Sequence, residues 1–154
     1  MDERLALMRD VAGHKWNSSS AIEDVPREQR IIDGLKAEAS ALGVPEAWAE
    51  RFFRAQIEAA KLIQREYFVQ WERAGASPVA DAPDLATVTR SRLDSLTPEI
   101  LRELAVAWPA LADPAQLGRI ALTMRGMQTA ATSGPAAALA IEPLIDGSSN
   151  MGTH

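Results

Sequence analysis

Arg4 and Lys15 stand eleven residues apart in the stretch RLALMRDVAGHKW, where apolar residues recur at helical spacing. At about 100° per residue, eleven steps come to within roughly 20° of whole turns, so both cations share one helix face. After the polar loop Asn17 to Ser20 come Asp24, Arg27 and Glu28. Their i, i+3 and i+4 spacing places them together on one face at the first turn of a second helix. Two cation-bearing faces around a short loop are suited to holding a small anion. The chemistry they offer is charge neutralisation and positioning. With no cysteine in the chain, thiol nucleophiles, disulfides and zinc–thiolate sites are excluded.

Helices must position these groups. The first is predicted over 2–16, with Leu5, Leu7, Met8, Val11, Ala12 and Trp16 as its apolar positions. Asp24 is a plausible N-cap for the second, and Pro26 is tolerated in its first turn. That helix runs to about Leu42 with Ile31, Ile32, Leu35, Ala39 and Leu42 as its stripe, and Gly43 stops it. Pro45 opens a long third helix reaching about Arg73. Trp48, Phe52, Ile57, Leu62, Ile63, Tyr67 and Trp71 mark its inner side, and Gln56, Ala60 and Gln64 follow one edge at i, i+4 and i+8.

GASPVADAP (75–83) reads as a connection. A shorter helix near Asp84 carries Arg90 and Arg92, and Thr97-Pro98-Glu99 reads as the start of another, running to Trp108. Asp113-Pro114 opens the last main helix, to about Ser133, and 135–146 is a further helical or extended piece after Gly134-Pro135. The expectation is an all-α domain over 1–146 with one long central helix. Residues 147–154, GSSNMGTH, read as a vector or tag remnant.

The chain has 154 residues, 47% hydrophobic and 24% charged, enough for one domain with a sizeable core. A net charge of −5 argues against nucleic acid or an anionic membrane as the main partner. A local cationic pocket in an acidic protein suits a small anionic ligand instead. No apolar run is long enough to span a membrane. Met1 is followed at once by charged residues, so no signal peptide is visible. No His or carboxylate pair has convincing metal-ligand spacing.

ERLALMRDVAGHKW, IEDVPRE, QIEAAKLIQ and TRSRLDSL together resemble the all-α chorismate mutases of the AroQ type, above all their exported (γ) subclass. The resemblance covers roughly residues 3 to 96 and is only loose beyond. It implies isomerisation of chorismate to prephenate, in the shikimate pathway toward aromatic amino acids, by a Claisen rearrangement within one substrate molecule. No metal or cofactor is implied. The task is to hold the compact conformer and to stabilise charge developing on the ether oxygen.

Carried over by position, Arg4 pairs with a substrate carboxylate, and Lys15 contacts the ether oxygen and a carboxylate. Asp24 and Glu28 lie near the substrate hydroxyl, and Arg27 helps order the site. Gln64 gives the ether oxygen its second hydrogen bond, and Arg90 completes the carboxylate cage from its own chain. These are the implied site residues: Lys15, Gln64, Arg4 and Arg90 catalytic, with Arg27, Glu28, Asp24 and Ala60 binding substrate. Ala60 departs from the family's usual Ser or Thr and removes one hydroxyl. The resemblance also implies a homodimer and a periplasmic or secreted location, a signal peptide having been removed.

Taken singly, each residue has a plainer reading: Arg4 and Arg90 as solvated cations, Lys15 as a snorkelling lysine beside Trp16. Asp24 would be a cap, Glu28 a surface partner and Gln64 an exposed polar position. The spacing they share favours the functional reading. The alternative function is a non-catalytic helical module that binds a small dicarboxylate. In the exported subclass the first helix starts about two turns earlier, and AIEPLID (140–146) has the character of those missing turns. A rearranged chain order, or docking of 140–146 where those turns belong, stands beside the reading of 135–146 as an Ala-rich tail.

Overall fold

A computed structural model describes residues 2–76, 89–126 and 134–146. The expected helix start near Asp84, the end of the 114–133 helix and the 147–154 remnant lie outside the described residues. Those residues form α1 (Asp2–Ala6), α2 (Met8–Asn17), α3 (Val25–Ala41), α4 (Glu46–Arg73), α5 (Arg90–Leu111), α6 (Pro114–Gly126) and α7 (Pro135–Asp146). Among them no helix is long and apolar enough to cross a membrane.

The expected first helix is two segments in line. Leu7 joins them with α-region dihedrals, and the Val11 N–H still bonds the Leu7 carbonyl at 3.2 Å. Asp24 caps α3 as expected, its side chain accepting from the Arg27 N–H at 3.1 Å. Gly43 (φ 75°) ends α3 and Gly75 (φ 59°) follows α4, both in the left-handed region that favours glycine at a helix stop.

The 28-residue α4 is the spine. It packs against α2, α3 and α7. The pairs Glu28–Lys61, Gln29–Arg54 and Lys36–Glu50 show α3 running antiparallel to it. Contacts of Met8 with Gln64 and of Trp16 with Phe68 and Trp71 show α2 running parallel to it. The main core gathers Trp48, Phe52 and Phe53 of α4, Ile32 and Leu35 of α3, Leu101 and Leu104 of α5, and Leu144 of α7. Trp48 stacks on Phe52 at 5.6 Å and meets Trp108 at 4.9 Å. The expected inner side of α4 is deep in its first half. Leu62, Ile63, Tyr67 and Trp71 in its second half are only partly buried. Leu42, expected in the α3 stripe, is exposed, because α3 has ended before it.

At the C-terminal side one expectation is revised and one open alternative is decided. Thr97-Pro98 does not start a helix: α5 runs through both Pro98 and Pro109. An interior proline costs about 3 kcal/mol, partly through one lost hydrogen bond. Here the bond lost is the one to the carbonyl of Asp94, whose side chain is 70% exposed, and the buried Leu96, Leu101, Leu104 and Leu111 hold the helix on the core across the break. The segment 135–146, left open between helix and extended chain, is helical. It lies along α4, with the Gln56 side-chain N–H donating to the Ala140 carbonyl at 2.7 Å. Its Ala136 and Ala140 form a cluster with Ala59, against which Leu5 packs. The C-terminal segment therefore shares an apolar cluster with the residue next to Arg4 within its own chain.

Candidate active site

All eight residues singled out from the sequence line one cleft of about 150 Å³. Five structural pieces deliver them. Arg4 comes from α1 and Lys15 from the last turn of α2. Asp24, Arg27 and Glu28 come from the cap and first turn of α3. Ala60 and Gln64 sit one turn apart on α4, and Arg90 is the first residue of α5. Arg92 does not face the cleft. It bonds Glu3 at 2.7 Å, tying the start of α5 to the helix that carries Arg4.

Arg4 is buried rather than solvated, at 8% exposure. Its Nε and Nη1 have no hydrogen-bond partner among the described residues. Burial lowers its pKa to about 10. Such a cation is charged at neutral pH and stands desolvated without compensation, a costly state unless something anionic arrives.

Lys15 is half-buried and donates to the Ile22 carbonyl at 2.6 Å, which fixes the ammonium at the loop. Burial lowers its pKa, while Asp24 and then Glu28 oppose the drop; Arg27 and Arg90 add to it. Asp24 is a cap and also a wall of the cleft. Glu28 accepts from the Asp24 backbone N–H at 3.2 Å with one oxygen and from Lys61 at 3.1 Å with the other. Arg27 approaches Asp94 of α5 at 3.8 Å.

Gln64 is buried, contrary to its plainer reading as an exposed position. Its amide N–H₂ donates to the Ala60 carbonyl at 3.1 Å and meets the Met8 sulfur at 3.6 Å. A thioether is a weak acceptor, so that second N–H can exchange sulfur for a better oxygen. Ala60 contributes only a methyl group and its carbonyl. Met8, Ile57 and Leu93 supply apolar wall.

Lys61 was not selected from the sequence. It is 8% exposed and lines the cleft. Its spacing from Glu58 looks like an ordinary i, i+3 surface pair, and that pair does form at 2.6 Å. The available signal was its position directly between Ala60 and Gln64. With Lys61 counted, five cations and three carboxylates line the cleft, a surplus of two positive charges. Among the described residues no group of three or more His, Cys, Asp or Glu is gathered as a metal site would require.

The profile of the type II chorismate mutases matches residues 1–65. A secreted chorismate mutase of Mycolicibacterium smegmatis is 32% identical over 112 residues, covering 73% of this chain and 61% of that protein. A monofunctional chorismate mutase of Enterobacter agglomerans is 33% identical over 107 residues, covering 68% of this chain and 57% of that protein. The chain thus spans less than two thirds of the length of these relatives. Among solved structures, the chorismate mutase of Burkholderia thailandensis is 35% identical, with a TM-score of 0.80 over 93% of this chain and 92% of that one. The secreted chorismate mutase of Yersinia pestis is 28% identical, with a TM-score of 0.74 over 93% of this chain and 90% of that one.

Proposed function

The chain belongs to the chorismate mutase family, and on that premise we propose that it converts chorismate to prephenate in the cleft between α2, α3, α4 and α5. The observation that carries the reading is the pairing of a twofold positive surplus with an unpartnered, buried Arg4. Chorismate brings two carboxylates, and they match that surplus.

In this reading Arg4 and Arg90 take the carboxylates. That contact relieves the desolvated guanidinium of Arg4 and folds the substrate into its compact, reactive conformer. Lys15 and Gln64 donate to the ether oxygen. As the C–O bond breaks and the new C–C bond forms within the same molecule, negative charge grows on that oxygen. Donors fixed in advance stabilise it more than they stabilise the ground state. Asp24 and Glu28 accept from the substrate hydroxyl, and Arg27 braces the first turn of α3 against α5. The reaction needs no group to leave or enter, so these residues suffice for it.

All eight residues come from a single chain, which supports a site complete within each protomer of the homodimer carried over from the resemblance. The naming of relatives as secreted supports an exported protein, periplasmic or extracellular.

The test is loss of the chorismate diene absorbance on adding protein, with prephenate as product. Turnover in the wild type that disappears in Lys15→Ala, with the helical circular dichroism retained, supports the reading. Saturable binding without turnover would replace it with the dicarboxylate-binding module, and neither binding nor turnover would remove both.

A further inference from the structure

Of the cations lining the cleft, Lys61 alone is marked neither by helix spacing nor by resemblance. Its ammonium sits between two carboxylates, and the two differ. Glu58 is on the same helix and 49% exposed, so its pairing is largely screened. Glu28 is 20% exposed, belongs to α3, and is held at both oxygens, by Lys61 at 3.1 Å and by the Asp24 N–H at 3.2 Å. Burial pulls the pKa of Lys61 down, but the hydrogen bonds it donates to Glu58 and Glu28, with their charges, outweigh that and the net movement is upward.

The charges facing Lys15 are Asp24 and Glu28 with one sign, Arg27 and Arg90 with the other. Arg27 is drawn toward Asp94, and Arg4 has its own unanswered charge. Were Lys61 neutral, Lys15 would be left to answer Glu28 across the cleft. An ammonium paired to a protein carboxylate is a poorer donor to a substrate oxygen.

We propose that Lys61 is a positioning residue that holds Glu28 against α4 and so keeps Glu28 from pairing with Lys15, leaving the Lys15 donors not used on the Ile22 carbonyl to the substrate. This rests on reading the cleft as a chorismate site. Its test therefore includes a measurement that needs no turnover: titration of Lys15 in the ligand-free protein, followed by NMR of isotope-labelled lysine and assigned by Lys15→Met.

Lys61→Met should raise the Lys15 titration and lower kcat/KM by about tenfold, the equivalent of one charge-assisted hydrogen bond. Lys61→Arg should preserve both. Lys61→Met combined with Glu28→Gln should be no worse than Glu28→Gln alone and should bring the Lys15 titration back down. An unmoved Lys15 titration in Lys61→Met, or a double variant whose losses multiply, overturns the proposal. Should Lys61→Met fail to fold, the comparison passes to Glu28→Gln and Asp24→Asn. Glu28→Gln must lower the Lys15 titration less than Asp24→Asn, because Lys61 already answers Glu28, and the reverse order overturns the proposal. A wild type with the expected Lys15 behaviour but no turnover would instead refute the chorismate reading and leave the Lys61–Glu28 relation standing.

Discussion

Replacing Arg4 with methionine should make the free protein more stable and the enzyme much worse. Burial lowers the guanidinium pKa from its ordinary value to about 10. At about 1.4 kcal/mol for each pH unit, that drop is a penalty of about 3–4 kcal/mol. For the sign, a cation with a depressed folded-state pKa binds its proton more tightly in the unfolded chain. The penalty is therefore fully present below pH of about 10 and is relieved only as the pH rises through that value toward the unfolded one. Methionine keeps much of the aliphatic packing and carries no charge. After some loss of fit, Arg4→Met should gain about 1–3 kcal/mol in urea unfolding at neutral pH. The same change should cost about 2–5 kcal/mol of transition-state binding, at least a thirtyfold fall in kcat/KM. Prephenate should raise the unfolding midpoint of the wild type and barely move that of the variant. An Arg4→Met protein less stable than wild type, yet equally stabilised by prephenate, would refute the idea that Arg4 waits unpaired for the ligand.

Gln64→Glu should confine activity to acid, because a carboxyl donates only when protonated whereas an amide donates at any ordinary pH; a pH–rate profile identical to wild type would remove Gln64 from the ether oxygen. In the wild type, kcat/KM should hold through neutral pH. Its alkaline fall should begin below the pH at which an ordinary lysine titrates, since burial depresses Lys15 despite Asp24 and Glu28. The fall in kcat should lie higher, because a bound dicarboxylate favours the ammonium; coincident limbs would count against Lys15 touching substrate. Phe52→Ala, at a side chain 1% exposed in the centre of the core, should cost about 3–5 kcal/mol in urea unfolding.

The helices carrying the site could be read from the sequence because their signals are local. Asp24 announces its cap, Gly43 and Pro45 punctuate a turn, and Arg4 and Lys15 share a face by simple arithmetic. What stayed hidden depends on partners far along the chain. Pro98 looked like a helix start because its local cost is plain, while the leucines that carry α5 across it declare themselves only against α3 and α4. Lys61 carries no local mark, because the partner that matters, Glu28, lies 33 residues away on another helix. The burial of Gln64 likewise needs α2 laid over α4, which no pattern within α4 can reveal.

The packing of α7 on α4, through Gln56 and the cluster that Leu5 joins, bears on how the cleft forms in time. Gln56 and Ala140 are 84 residues apart in sequence. Closing so long a loop is entropically late, and such contacts slow folding. The α3–α4 hairpin, built from near neighbours, can form early. Leu5, beside Arg4, packs on a cluster shared by Ala59 of α4 and by Ala136 and Ala140 of α7, so that part of its apolar setting is completed when the C-terminal helix docks. In an incompletely folded chain Arg4 is a hydrated, ordinary arginine, and the cleft acquires its appetite for a dianion only as long-range packing buries that side chain.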